Sequence, residues 1–306
     1  MLPKELEQTM VNVHGEAAKV WLAALPHTLE KFCRLWSIKL DQPFENLSYN
    51  LVIPGTRHGG EPIVLKAGVP CSELTTETAA LEMFAGSSSV RLLEEDRAAG
   101  FLLLERLLPG TSLHEIGNEE ESTRISAQLM KRLWREPPLD HGFPSLRTWF
   151  RSLDRIKKTD GKEFPMDLVT KASVVLDELL SAGGRPLILH GDLHHDNVLY
   201  SQKRGWLVID PKGVCGDPAY EVGTFMLNQL PEADSDESMS RILGRRLVIF
   251  SEELDIDWLR LARWAFAHAV LSAVWSLEES ADWKPAIRVA QLLKRLAGNV
   301  DNSMIG

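Results

Sequence analysis

Cysteine is scarce in these 306 residues: Cys33, Cys71 and Cys215 stand far apart, and no CxxC pair occurs. That excludes a cysteine zinc knuckle and a thioredoxin-type redox motif, and an odd, low count suits a reducing compartment. Basic residues are also in deficit, 34 against 43 acidic, which leaves a formal charge of −9. A net negative surface repels nucleic-acid phosphates and anionic lipid, so neither nucleic acid nor a membrane is expected as a partner. It is compatible with a cationic ligand. Long hydrophobic runs are missing too. The longest, around Ala265 to Val274, is too short to span a bilayer and contains His268. The opening MLPKELEQTM lacks the apolar core of a signal peptide, so a cytoplasmic location is the expectation. The patterns GxxxxGK(S/T), GxGxxG and GxSxG do not occur, which removes the P-loop, Rossmann and hydrolase-elbow readings.

What is present divides by period. Apolar residues at helical spacing run from Glu5 to Leu25, Pro26 is expected to break that helix, and a short second one follows through Phe32 and Trp36. Ser48–Ile53 and Pro62–Ala67 read as strands of a hairpin with a generous loop. Glu73–Phe84 reads as a helix, and Val90–Leu93 and Phe101–Leu107 read as two further strands. Beyond Pro109-Gly110 helical spacing dominates: Ser122–Leu133, Ser145–Lys157, Asp167–Leu180, Arg241–Leu254, Trp258–Leu277 and Pro285–Leu296. Arg185–Asp210 interrupts it with short strands, the last being Trp206–Asp210. The pattern predicts an α+β, bilobal protein: a β-rich N-lobe over 1–106, behind a helical extension, and a mainly helical C-lobe over 107–306. Clefts between lobes are where ligands usually bind.

One segment carries chemistry. His190-Gly-Asp192-Leu-His-His-Asp-Asn197 packs polar and charged groups between two apolar strands, a costly arrangement unless it has a task. The spacing His-x-Asp-x-x-x-x-Asn is that of kinase catalytic loops. In that geometry Asp192 accepts the proton of an attacking hydroxyl, Asn197 offers its amide oxygen to a metal ion, and His190 holds the loop. Asp210, at the end of Leu207-Val-Ile209, suits Mg²⁺, which takes hard oxygen ligands. Lys66 ends the apolar strand Ile63–Leu65, where an unpaired ammonium is costly. Glu77 on the following helix is its expected partner, steadying it against ATP phosphates. Ser48 falls where a phosphate-covering loop belongs, although the glycine-rich pattern is absent. Backbone groups of Glu105 and Leu107 would face an adenine, or else form a plain edge strand. Glu278, Glu279 and Trp275 would draw a cationic acceptor into the C-lobe, or else form a solvated face and core packing.

These residues resemble a known group. His190-Gly-Asp192-Leu-His194-x-x-Asn197 with Ile209-Asp210-Pro211-x-Gly213-x-x-Gly216-Asp217-Pro218 looks like the aminoglycoside phosphotransferase superfamily. Arg204-Gly-Trp-Leu-Val-Ile-Asp-Pro-Lys-Gly213, Ser89-Val-Arg-Leu-Leu93, Leu102-Leu-Leu-Glu-Arg106 and Leu271-Ser-Ala-Val-Trp-Ser276 are similar to its streptomycin 6-kinase and hydroxyurea phosphotransferase branch. The resemblance runs from about residue 45 to 280. It implies a protein-kinase-like fold, ATP and Mg²⁺ as cofactors, and transfer of the γ-phosphate to a hydroxyl of a streptomycin-like aminoglycoside. Asp192 matches the catalytic aspartate, Asn197 and Asp210 the metal ligands, Lys66 and Glu77 the nucleotide lysine and its helix partner, and Asp217 a carboxylate bracing the loop. Asp196 departs from the pattern, standing where small or other polar residues are common.

Alternatives stay open at this stage. The acceptor can be hydroxyurea or an endogenous metabolite. A nucleotide-binding pseudokinase, or a metal-dependent hydrolase using His190, His194 and His195, are rivals of another class. A monomer or weak dimer is expected.

Overall fold

The first helix ends not at Pro26 but at Gly15. In a computed structural model, which describes residues 3–45, 47, 49–156, 164–230 and 235–303, α1 (Lys4–His14) meets α2 (Glu16–Leu35) at Gly15, whose φ is 58°. Glycine takes that left-handed backbone without a Cβ penalty. Pro26 sits inside α2 on its exposed face, so the carbonyl deprived of a proline N–H can turn to water.

The chain forms two units, Met1–Gly110 with Tyr200–Leu207, and Thr111–Leu199 with Val208–Gly306. The first holds a five-stranded antiparallel sheet: β1 (Ile38–Leu40), β2 (Leu51–Arg57), β3 (Glu61–Ala67), β4 (Leu92–Asp96) and β5 (Phe101–Glu105), in the order β1-β2-β3-β5-β4. The loop expected after Ile53 shrinks to His58–Gly60, because β2 continues through Pro54 to Arg57. β1 pairs only with Gly55–Arg57, so Pro54 lies past its end, where a residue lacking an N–H is tolerated. β3 is central and almost wholly buried from Ile63 onward, as its apolar run requires. α1 and α2 cover the sheet with Leu6, Met10, Leu25 and Phe32, and Phe32 stacks on Phe101 at 4.7 Å. The helix α3 (Ser72–Phe84) follows β3 and buries Leu74, Leu81 and Phe84 together with Glu77.

The second unit is built around a helix that is apolar all round. Within it β7 (Leu187–Leu189) pairs with β10 (Val214–Gly216), whereas the residues of a three-stranded sheet, β6 (Pro109–Ser112), β8 (Val198–Ser201) and β9 (Gly205–Val208) in the order β6-β8-β9, are divided between the two units. The helices are α4 (Glu119–Leu133), α5 (Leu146–Trp149), α6 (Arg151–Ile156), α7 (Met166–Ser181), α8 (Val222–Leu227), α9 (Asp236–Leu254), α10 (Trp258–Glu278) and α11 (Lys284–Ser303). The single helix expected over Ser145–Lys157 is two short ones meeting at Phe150. α10 buries Leu261 through Leu271 on nearly every face and packs on α7, α8, α9 and α11. A helix without a polar face belongs at the centre of a core. That accounts for the apolar run Ala265–Val274, and among the described residues no helix is long and apolar enough to cross a membrane.

Candidate active site

The loop that follows β7 is held by its own polar groups. Gly191 has a φ of 82°, and a Cβ there would come within 2.7 Å of Trp149 Cη2. Only glycine fits both conditions. The amides this turn exposes are captured by one buried carboxylate. Glu221, 1% exposed, accepts the His190 N–H on Oε2 and the Gly191 N–H on Oε1, each at 2.8 Å. Burial pushes its carboxyl up to about 7, against the downward pull of the two amides, and the nearby charge of Asp192 adds to the rise. The Trp134 indole N–H exerts a weaker downward pull without meeting hydrogen-bond geometry.

His190 is locked on both sides. Its Nε2–H donates to Ile209 O at 2.8 Å, its Nδ1 accepts the Asp192 N–H at 3.2 Å, and its carbonyl accepts the amides of Lys212 and Gly213. A ring that donates at one nitrogen and accepts at the other is neutral. Burial agrees, lowering its pKa to about 4. The result ties the loop after β7 to the segment 209–213.

Asn197 closes the loop. Its Nδ2 donates to Asp192 O at 2.9 Å, which settles the orientation of the amide and leaves Oδ1 as the atom that could take a metal ion. The Asn197 carbonyl in turn accepts the Ile209 N–H at 2.9 Å, beside Asp210. The expected strand end at Asp210 is corrected here: β9 stops at Val208, and Asp210 stands two residues on with a φ of 55°. A left-handed aspartate is strained backbone of the kind concentrated at functional sites. An amide oxygen and a carboxylate are the hard donors Mg²⁺ prefers, so the donor set fits that ion.

The remaining histidines go elsewhere. His194 Nδ1 accepts the Asp196 N–H, and His195 stacks on Phe225 at 4.1 Å. Burial, with the Arg246 charge second, lowers His195 to about 3. Among the described residues no group of three or more His, Cys, Asp or Glu side chains is placed to hold a metal ion, which removes the support for a histidine-based hydrolase. Asp217 caps the turn Pro218–Glu221 through Ala219 N–H and pairs with Arg260 and the Trp264 indole. The loop amides therefore rest on Glu221, which sequence reasoning passed over. Its signal was present as the last residue of Gly216-Asp-Pro-Ala-Tyr-Glu221.

An aromatic group packs behind the loop. Tyr220 is buried and bonds His268 Nδ1 at 2.8 Å, with Trp149, Phe150 and Trp264 edge-on to its ring. Trp275 meets Trp149 at 5.8 Å and donates to Ser152 Oγ. Glu278 pairs with Arg155, which also donates to Ser152, and Glu279 closes α10 on the exposed side. Trp149 was not legible as a site residue, since only the folded contact with Gly191 marks it.

In the first unit, Lys66 Nζ donates to Glu77 Oε1 at 2.7 Å, with the side chains 6% and 9% exposed. Two opposite charges so desolvated require one another. The Glu105 N–H is taken by Arg91 O at 3.0 Å, and its carboxylate accepts the Arg91 N–H and the Arg204 guanidinium. A base edge could thus use the Glu105 amide only by displacing Arg91. Leu107 is buried. Ser48 lies outside the described residues.

Comparison with known proteins meets this geometry from the other side. The family model described as aminoglycoside/hydroxyurea antibiotic resistance kinase matches residues 36–280. A streptomycin 6-kinase of Streptomyces glaucescens is 27% identical over 299 residues, spanning 96% of this chain and 97% of its own. A hydroxyurea phosphotransferase of Kitasatospora aureofaciens is 28% identical over 306 residues, spanning 97% and 87%. Among solved structures, choline kinase LicA of Streptococcus pneumoniae matches at a TM-score of 0.65 and 14% identity, covering 89% of this chain and 99% of that one. The fold is therefore kinase-like. With residues 36–280 matched by the family model, the chain belongs to the aminoglycoside/hydroxyurea antibiotic resistance kinase family and is a small-molecule phosphotransferase.

Proposed function

We propose that the protein transfers the γ-phosphate of ATP to a hydroxyl of a cationic, streptomycin-like aminoglycoside, with Asp192 as the base. The observation that carries this reading is the Asn197 Nδ2 bond to Asp192 O, which ties the base and the metal-binding amide into one rigid unit. Asn197 Oδ1 and the Asp210 carboxylate are the groups that would hold Mg²⁺, and the ion would neutralise charge on the transferring phosphoryl group. Lys66, held by Glu77, is the group for the α- and β-phosphates, which makes the first unit the nucleotide unit and the second the acceptor unit. The chemistry left to the protein is positioning and electrostatics rather than covalent catalysis.

Support for a cationic acceptor comes from the paired rings of Trp149 and Trp275, since aromatic faces attract cations, while the Glu278 carboxylate is already taken by Arg155. The overall charge of −9 agrees. Hydroxyurea is the second reading, favoured by the 28% identical hydroxyurea phosphotransferase. A cytoplasmic monomer or weak dimer fits such a role.

The test is a phosphate-transfer screen with Mg-ATP over streptomycin, other aminoglycosides, hydroxyurea and amino-alcohol metabolites. Transfer to streptomycin in preference to the others is expected. Binding of Mg-ATP with no transfer to any acceptor would make the protein a pseudokinase instead.

A further inference from the structure

The two proposed metal ligands sit at the two roots of one hairpin. Asn197 immediately precedes β8, and Asp210 follows β9 by two residues. The roots are cross-tied by the Ile209 N–H bond to Asn197 O. The tip of the same hairpin, roughly 10 Å away at the rise of a β-strand, groups with the first unit.

Arg204 fastens that tip. Its Nη1 donates to the Glu105 carboxylate, and its Nη2 donates to Gly86 O and, at 3.3 Å, to Ser89 O. Only 18% of either charged side chain is exposed. The receiving site is itself rigid. Glu105 Oε1 also accepts the Arg91 N–H at 2.9 Å, and the Glu105 N–H returns to Arg91 O. Gly86, at φ 67°, leaves room for Arg91 and Arg204, since a Cβ there would approach Arg91 Cγ to 2.7 Å and Arg204 Nη2 to 3.6 Å. Glu105 ends β5, the strand paired with the one that carries Lys66, and Gly86 follows α3, which carries Glu77. One guanidinium thus reads a carboxylate on the strand paired with β3 and two carbonyls in the loop after α3. A planar fork can satisfy all three, and a lysine cannot.

We propose that Arg204 is a positioning residue for the metal ligands: by pinning the hairpin tip to Glu105, Gly86 and Ser89, it sets how Asn197 and Asp210 present their oxygens. The β8–β9 ribbon, whose roots are cross-tied, passes a displacement of its tip to both ends, with the pairing of β8 to β6 as a further hold on one strand. The Gln202 N–H bond to Leu108 O, at 2.8 Å, is a second and weaker tether, so loss of Arg204 loosens the site without dismantling it. This inference rests on Asn197 and Asp210 being the metal-binding pair.

The test is Mn²⁺ binding in the presence of ADP, followed by electron paramagnetic resonance, alongside hydrogen exchange of the amides of Tyr200–Leu207 and the kinetics of transfer. Arg204→Met is expected to weaken Mn²⁺ binding ~10-fold, the usual scale for removing an outer support of a metal site. Exchange at the hairpin should rise, and kcat should fall with the acceptor KM little changed. Arg204→Lys should resemble Arg204→Met rather than the wild type. Asp210→Asn is the reference for the site itself. Wild-type Mn²⁺ affinity in a folded Arg204→Met protein, with affinity lost in Asp210→Asn, overturns the role of Arg204 alone. Undiminished affinity in Asp210→Asn overturns the metal-ligand reading, and this inference with it. Should Arg204→Met fail to fold, Glu105→Gln, which keeps a neutral acceptor, carries the same readout with a smaller expected loss of ~3-fold, and no change there is equally decisive against the proposal.

Discussion

Glu221 Oε1 accepts the backbone N–H of Gly191 at 2.8 Å across 30 residues of chain, and this bond, with its twin to His190, holds the His190–Asn197 loop in shape. Burial keeps the Glu221 carboxyl near a pKa of about 7, so its charge changes close to neutral pH. Glu221→Gln supplies one acceptor but turns an NH₂ toward the other amide. A stability loss on the order of 2 kcal/mol is expected, the cost of a buried unsatisfied group. The loss should be smaller at pH 8 than at pH 6, because the extra proton held by the native wild type contributes stability that is lost as pH rises through about 7, whereas glutamine does not titrate. Urea unfolding at both pH values checks this.

Asp192→Ala should lower transfer by roughly 10²–10⁴-fold, the usual contribution of a positioned base. Its carbonyl, not its side chain, receives Asn197, so the loop retains that bond in the variant. Nucleotide affinity, measured by titration calorimetry, should stay near the wild-type value. Wild-type-like turnover would remove Asp192 from the role.

Lys66 and Glu77 form a pair almost without solvent, so removing either takes a close opposite charge from a buried one. Lys66→Met alone should destabilise by about 3 kcal/mol, whereas Lys66→Met with Glu77→Leu should cost clearly less than the two single changes together. Thermal and urea unfolding of the three variants test the coupling. Nucleotide binding should be weakened in all of them.

Acid should unfold the protein earlier than its carboxylates alone would suggest. His190, His195 and His268 are buried, with folded values of about 4, 3 and 4 against 6.5 in the unfolded chain. Below 6.5 the unfolded state binds these protons and the native state does not, so their contribution to stability is lost as pH falls toward 4. Glu221 acts the other way between 4.5 and about 7, where the native state holds the extra proton. The histidines outnumber it, leaving a net uptake of about two protons on unfolding between pH 4.5 and 6.5, or roughly 2–3 kcal/mol per pH unit. Urea midpoints at pH 5 and 6.5 measure the slope, and His268→Gln should flatten it by about one proton's share.

Period alone made most elements legible. A short apolar run rich in β-branched residues marked β3, helical spacing marked α7 and α10, and the punctuation at Pro109-Gly110 separated sheet from helices. Boundaries slipped where backbone freedom decided them. Gly15 rather than Pro26 ended α1, because a left-handed residue breaks a helix whatever its neighbours, while an exposed proline merely bends one.

By itself the sequence determined the chemistry available: one aspartate, one asparagine and one further aspartate at loop spacing, a lysine closing an apolar strand, and an excess of acid. It left undecided which groups hold that chemistry in place. Glu221 beneath Gly191, Trp149 against the same glycine and Arg204 on Glu105 join residues 30, 42 and 99 positions apart, counted from Gly191 for the first two. Such contacts depend on how strands and helices pack, and no local pattern encodes them. Tertiary structure alone decided them, because a buried amide or charge must find its partner wherever the fold brings one within reach.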